Sequence, residues 1–239
     1  MLTEIRTLLP GARLLYLADR ARAPFGPRSL EEVEQISLDI AAWLIGRGAD
    51  CLVVACNTAS AAALETLRRV HPRVPIVGME PAVKPAAATS ASGKVAVFAT
   101  AATFQGRLFE SVVSRFAVGV EVITRACPEW VELVETGRVE GEIVDDAVGS
   151  VVGPVVAEGA DVAVLACTHF SYLKPVIERV GGVPVIDPAP AVAAQTARVA
   201  PTQDGGPELT LAVSGDLELF ARQAAALAGI EGRVVRFGP

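Results

Sequence analysis

Thiol and imidazole groups are scarce in this chain, and their spacing excludes more than their number does. Its 239 residues hold 4 cysteines and 2 histidines. Cys51, Cys56, Cys127 and Cys167 form no C-x-x-C pair, and His71 stands far from His169. This pattern argues against a zinc site, and no metal is expected. The cysteines read as free thiols of a reducing compartment. No apolar run is long enough to cross a bilayer, so no membrane partner is expected. The opening Met1-Leu2-Thr3-Glu4-Ile5-Arg6 carries no apolar signal core, and the expected location is cytoplasmic. A basic stripe is also missing. With 21 Lys+Arg against 27 Asp+Glu and a net charge of −6, a nucleic-acid partner has no electrostatic support. An acidic ligand would have to be held by local backbone dipoles, against the overall field.

What is present is apolar and regularly punctuated. Hydrophobic residues make up 51% and charged residues 20%, the composition of a globular chain long enough for one large or two small domains. Leu2, Ile5, Leu8 and Leu9 fall at helical spacing, and residues 14–17 read as a buried strand. Residues 19–28, with two prolines and Gly26, form a loop. Ser29 and Glu32 make a capping-box pattern for a helix that ends at Gly46/Gly48. Strand and helix then alternate to the C-terminus. Strands are expected at 51–55, 75–78, 94–100, 120–124, 163–166, 183–186 and 209–213, with one more after residue 227. Helices are expected at 61–70, 104–116, 128–136, 142–158, 172–180 and 217–227, with one more before the 209–213 strand. Such alternation implies parallel sheets with helices on both faces. The breakers Glu80-Pro81 and Asp187-Pro188 divide the chain. The expected fold is therefore α/β, with two doubly wound parallel-sheet domains facing each other across a cleft. The second (82–187) is inserted in the first (1–81 plus 188–239).

One design occurs twice. The run Cys51-Leu52-Val53-Val54-Ala55-Cys56-Asn57-Thr58-Ala59-Ser60 is an apolar strand that ends in a cysteine and small polar residues, and a helix comes next. Ala163-Val164-Leu165-Ala166-Cys167-Thr168-His169-Phe170 repeats it, once in each expected domain. Ligands of open α/β sheets bind at the carboxyl ends of strands, so Cys56 and Cys167 are placed to line one cleft. Moving a proton from one face of a carbon to the other needs two bases on opposite sides, one protonated and one not. A thiol serves if its pKa is lowered from about 8.5, as happens at helix N-termini. The same termini, with Asn57-Thr58 and Thr168-His169, would bind carboxylates.

These residues bring the chain into resemblance with the glutamate racemases. Ala55-Cys56-Asn57-Thr58-Ala59-Ser60 is similar to that family's first signature, and Ala166-Cys167-Thr168-His169-Phe170 to its second. Arg22-Ala23-Pro24-Phe25-Gly26-Pro27-Arg28-Ser29 resembles its carboxylate loop. The segment from Cys127-Pro128 to Glu135-Thr136-Gly137 resembles its mid-chain motif, and Val213-Ser214-Gly215-Asp216 with Phe220 its C-terminal turn. The resemblance implies cofactor-independent interconversion of L- and D-glutamate, supplying D-glutamate for peptidoglycan. It implies Cys56 and Cys167 as the two acid/bases, with His169 assisting Cys167 and Glu135 assisting from behind. It places Phe25, Gly26, Asn57, Thr58, Thr100, Thr103, Thr168 and His169 against the substrate, and it implies a homodimer.

The chain also departs from that pattern. Phe25 stands where the family carries tyrosine, and Arg20 where it carries threonine after the aspartate. The family opens with a buried strand and an Asp-Ser-Gly loop, whereas this chain begins inside the helix that comes after them. Met1 then stands where a valine is usual, and a sheet lacking a strand near its centre is expected. Plainer readings stand beside the functional ones. Cys51 and Cys127 read as core cysteines and His71 as a helix-end residue. Glu135 is equally a solvated helix face, and Thr100 and Thr103 could be strand-end and N-cap residues. Asp19 reads as a turn residue and Arg20, Arg22 and Arg28 as solvated loop charges. An aspartate racemase is the rival within the enzyme class, although Thr168-His169 favours glutamate. A non-catalytic binding protein is the rival outside it.

Overall fold

Alternate residues of Lys94–Ala99 face opposite layers, and this one strand explains the larger half of the architecture. The computed structural model describes residues 1–105, 107–201 and 206–238. In chain order, the elements up to the middle are α1 (Leu2–Leu8), β1 (Arg13–Asp19), α2 (Leu30–Ile45), β2 (Leu52–Val53), α3 (Asn57–Val70), β3 (Ile76–Val77), α4 (Val83–Thr89), β4 (Lys94–Ala99), α5 (Ala101–Gln105) and α6 (Arg107–Phe116). They continue with β5 (Glu121–Ala126), α7 (Pro128–Glu135), α8 (Glu142–Ala157), β6 (Val162–Leu165), a 3₁₀ turn (Thr168–Leu173), α9 (Lys174–Gly181), β7 (Val185–Ile186), α10 (Ala189–Val199), β8 (Glu208–Ser214), α11 (Leu217–Ala228) and β9 (Arg233–Arg236).

Strand β4 sits between β5 and β6 in a parallel sheet of order β5-β4-β6-β7. Side chains of a strand alternate between faces. Ala96 and Phe98 of β4 join Ala163 and Leu165 of β6 in a core closed by α7, α8 and α9. Val95, Val97 and Ala99 join Val162 and Val164 in a second core, closed by α4 and α6. Both faces are covered, which is why β4 and β6 read as unbroken apolar runs. From β4 the chain moves to β5 on one side and then returns to β6 on the other. The reversal lies between the carboxyl ends of β4 and β6, the usual crevice for ligands in such sheets.

The remaining strands are also parallel but stand in two pieces, β1-β8-β9 and β2-β3. Between β1 and β2 lies a cavity of about 1030 Å³, lined by Leu15, Leu17, Ile40, Leu52 and Val54 among others. The gap expected near the centre of this sheet is here. The fold class agrees with the sequence reading: α/β, with parallel sheets. The capping box at Ser29 and Glu32 forms as expected. Several details differ. Helix α4 has no counterpart in the sequence reading, since Val83-Lys84-Pro85-Ala86 comes after a breaker and has its own proline. The strand expected at 51–55 is ladder-bonded only over Leu52–Val53. The helix expected over 172–180 begins earlier, as the 3₁₀ turn. Within the helix expected over 104–116, position 106 lies outside the described residues. Among the described residues, no helix is long and apolar enough to cross a membrane, and no cluster of His, Cys, Asp and Glu is placed to hold a metal.

Candidate active site

Cys56 and Cys167 have nearly the same backbone, φ/ψ −152°/126° and −145°/133°, each extended and each the N-cap of a helical segment. A strand that stops and turns into a helix leaves this residue with its side chain beside the first free amides. For Cys56 the Ala59 N–H points at Sγ, 3.5 Å away. Charge on Cys167 adds a little to the upward push on the Cys56 thiol. Both are half-buried. Cys127, by contrast, lies in the core beside Trp130, and burial pushes its thiol up to about 12. Cys51 stands half-buried just before β2, and burial raises its thiol too.

On the Cys167 side a relay is assembled. His169 Nδ1 lies 3.6 Å from Cys167 Sγ, and its Nε2 lies 2.9 Å from Glu135 Oε1. Burial alone would lower the His169 pKa, but the hydrogen bonds and charges of Cys167 and Glu135 outweigh it and raise it to about 10. Glu135 is held below its ordinary value, chiefly by the His169 hydrogen bond and with help from Arg20. Glu135 is thus paired with His169 and is more than a solvated helix face.

The Cys56 side lacks an imidazole and depends on hydroxyls and amides. Thr58, Thr100 and Thr103 form a triangle of hydroxyls, with Oγ1 separations of 2.9, 3.0 and 3.3 Å. It ties the start of α3 to the loop and helix after β4. Phe25 and Gly26 approach from the loop after β1, and a Cβ on Gly26 would stand 3.3 Å from Thr100 Cβ. Asn57 is buried beside Cys56, with neither Nδ2 nor Oδ1 partnered. Thr168 opens the turn after Cys167 and is half-buried. The large cavity between β1 and β2 touches Cys56, Asp19 and Phe25, but Cys167, His169 and the threonine triangle do not line it. The candidate site is therefore set by these side chains, not by that cavity.

One expectation needs correction. The helix N-terminus at Cys56 implies a lowered pKa in the sequence. Burial instead pushes it up, and the Ala59 and Thr58 donors only partly offset this. The helix start places the donors, but desolvation of a thiolate costs more than two or three N–H and O–H groups return.

Several neighbours that read as plain loop residues in the sequence are also tied into the site. Asp19 is buried at the end of β1, accepting from Ser214 Oγ at 2.7 Å and from Arg22 Nε. Arg22 also reaches Asp39 at 3.3 Å, and Arg28 Nε donates to the Arg22 carbonyl at 2.7 Å. Arg20 donates to Gln223 Oε1 and, at 3.2 Å, to Glu135 Oε2. The unusual residue after Asp19 is the one available signal. Its partners lie 115 and 203 positions away and cannot be read locally.

A family model of the Asp/Glu/hydantoin racemases matches residues 1–196. The chain belongs to this family. Among curated racemases, the glutamate racemase of Roseiflexus sp. (strain RS-1) is 47% identical over 232 residues, 92% of this chain and 85% of that protein. The solved structure of glutamate racemase isoform RacE1 from Bacillus anthracis superposes with a TM-score of 0.90 at 27% identity, covering 99% of this chain and 92% of that one. Escherichia coli glutamate racemase, solved with L-glutamate and the activator UDP-MurNAc-Ala, gives a TM-score of 0.86 at 29% identity over 98% of this chain and 91% of that one. As a racemase-family chain, the protein carries its paired cysteines at the carboxyl ends of strands from different sheets.

Proposed function

We propose that this chain is a glutamate racemase that interconverts L- and D-glutamate by two-thiol acid/base catalysis and supplies D-glutamate for peptidoglycan. The observation that carries the proposal is the matched placement of Cys56 and Cys167, each an extended residue that caps a helical segment just after a parallel strand, with its own polar neighbours. In one direction the thiolate of one cysteine removes the α-proton, and the C–H electron pair stays on carbon, delocalised into the carboxylate. The thiol of the other delivers its proton to the opposite face. The proton has then moved from one sulfur to the other, and no electron is exchanged. His169 supplies positive charge and a proton beside Cys167. Burial keeps Cys56 as the thiol until a substrate group or base draws its proton. Asn57 supports the substrate reading, since a buried amide without a partner costs about 1–3 kcal/mol, which a bound carboxylate or ammonium would relieve. In this reading Thr58, Thr100, Thr103 and Thr168 present donors, and Phe25 and Gly26 bring backbone N–H groups to a carboxylate in place of a tyrosine hydroxyl.

The same reading divides the chain into 1–81 plus 188–239 and 82–187, so that one domain carries Cys56 and the other Cys167. It includes a cytoplasmic homodimer, for which sedimentation of the purified chain is the test. The chemistry is tested with L-glutamate in deuterated water, following α-deuteration and D-glutamate by NMR and chiral chromatography. We expect both products. A folded chain that exchanges nothing overturns the proposal. Exchange persisting in both Cys56→Ala and Cys167→Ala overturns the two-thiol mechanism.

A further inference from the structure

Glu135 is gripped from the far side of the cleft. Its backbone carbonyl accepts from Gln223 Nε2 at 2.8 Å, and its Oε2 accepts from Arg20 Nη2 at 3.2 Å. Arg20 Nη1 donates in turn to Gln223 Oε1, so the two gripping side chains also hold each other. Arg20 directly succeeds β1 and Gln223 lies on α11, both next to the β1-β8-β9 sheet, whereas Glu135 ends α7 on the four-stranded sheet. The carboxylate is divided: Oε2 faces Arg20 and Oε1 faces His169.

We infer that Arg20 and Gln223 are positioning residues that clamp Glu135 across the cleft and thereby aim His169 at Cys167. The inference rests on the reading of Cys167 as an acid/base. An exposed ion pair is a weak source of stability, and the Arg20 and Glu135 side chains are 27% and 46% exposed. Two donors fixing both ends of one residue make a strong orienting device, because a guanidinium presents a rigid fork. The other groups whose charge bears on Glu135 or Arg20 are Tyr16 on β1, Tyr172 on the 3₁₀ turn and Asp216 at the start of α11. None of them bridges to His169 in the structure. Cys56 takes its donors from Ala59 and Thr58 and stands outside this chain of contacts. The clamp therefore serves one half of the reaction.

That asymmetry is the test. Arg20→Ala is placed in Cys56→Ala and in Cys167→Ala backgrounds, and α-deuteration of each glutamate enantiomer is measured. We expect the ratio of Cys167-driven to Cys56-driven exchange to fall about tenfold, less than the 10²–10⁴ of a removed acid or base. Arg20→Lys, which keeps the charge but not the fork, and Gln223→Ala should fall between parent and Arg20→Ala. In the two-cysteine chain, iodoacetamide labelling mapped by mass spectrometry should shift from Cys167 towards Cys56 in Arg20→Ala, at an unchanged unfolding midpoint. Equal loss in both halves, or none, together with an unshifted labelling ratio, overturns the clamp while leaving the racemase reading intact. A parent chain that exchanges nothing overturns that reading instead, and the labelling ratio still decides whether Arg20 acts on Cys167.

Discussion

A hydroxyl triangle and a missing Cβ show how much of the Cys56 side depends on single atoms. Thr58, Thr100 and Thr103 each lie within hydrogen-bonding distance of the other two. Each hydroxyl has one proton to give, so the three protons are shared among partners inside the triangle and any ligand outside it. Gly26 rests against Thr100, and a Cβ at 3.3 Å would need one of them to give by a few tenths of an ångström. Moving Thr100 would unsettle the triangle, and moving the loop would withdraw the Phe25-Gly26 backbone. Either route weakens substrate binding more than proton transfer. Gly26→Ala is therefore expected to raise KM for glutamate several-fold, on the order of the 1 kcal/mol typical of one displaced hydrogen bond, with kcat changed less. Steady-state kinetics in both directions check this. A fall in kcat at constant KM would place the loop in the chemistry rather than in binding.

At the scale of elements, the 3₁₀ turn carrying Cys167 and His169 is built on an aromatic stack. Trp130 of α7 lies 5.1 Å from Phe98 of β4 and 5.1 Å from Phe170 of the turn, and all three are fully buried. Its indole N–H donates to the Ala147 carbonyl of α8 at 3.3 Å. One side chain thus ties strand, turn and two helices together. Trp130→Ala should cost about 3–5 kcal/mol of stability and lower the denaturant midpoint accordingly. Trp130→Phe should cost less, since it keeps two ring contacts and loses one hydrogen bond. A loss below about 1 kcal/mol for the alanine variant would show that the stack is not what holds the turn. Much of this is legible in sequence where the signal is local. The Ser29/Glu32 box, the apolar runs of β4 and β6 and the cysteine at each strand end depend on neighbours within four residues. What is not legible depends on the fold: helix α4, which packs on β4 and β6 despite a proline in its sequence, and the Asp19–Ser214 contact, 195 positions apart. The rise in the Cys56 pKa is hidden for the same reason, since desolvation is set by what packs around the sulfur.

Across the whole molecule, the site is a line of protons held between two sheet systems, and stability should register it. His169 has a folded pKa of about 10 against an ordinary 6.5. The folded state therefore binds this proton more tightly than the unfolded state. The stability so gained is complete below pH 6.5 and is lost as pH rises through about 10. Glu135 works in the opposite sense. Its folded pKa is lowered from 4.5, so its contribution is present above 4.5 and is lost as pH falls through the folded value. Together they define a plateau between about pH 4.5 and 6.5, with a decline on each side. Cys56 and Tyr16, raised from 9.0 and 10.0, add to the alkaline decline only above those values. The interval from 6.5 to 9 thus belongs to His169. Thermal midpoints measured across it should fall with rising pH in the parent and stay nearly level in His169→Gln. The Arg20–Glu135 contact joins the two sheet systems through the same carboxylate, so Glu135→Gln should make both limbs shallower: the acid one in part, since Asp145, Asp161 and Asp216 are also held below their ordinary values, and the alkaline one by removing the charge that favours imidazolium. A parent midpoint that is constant from pH 6.5 to 9 would mean that His169 is neutral in the folded chain, and Cys167 would then work without an imidazolium beside it.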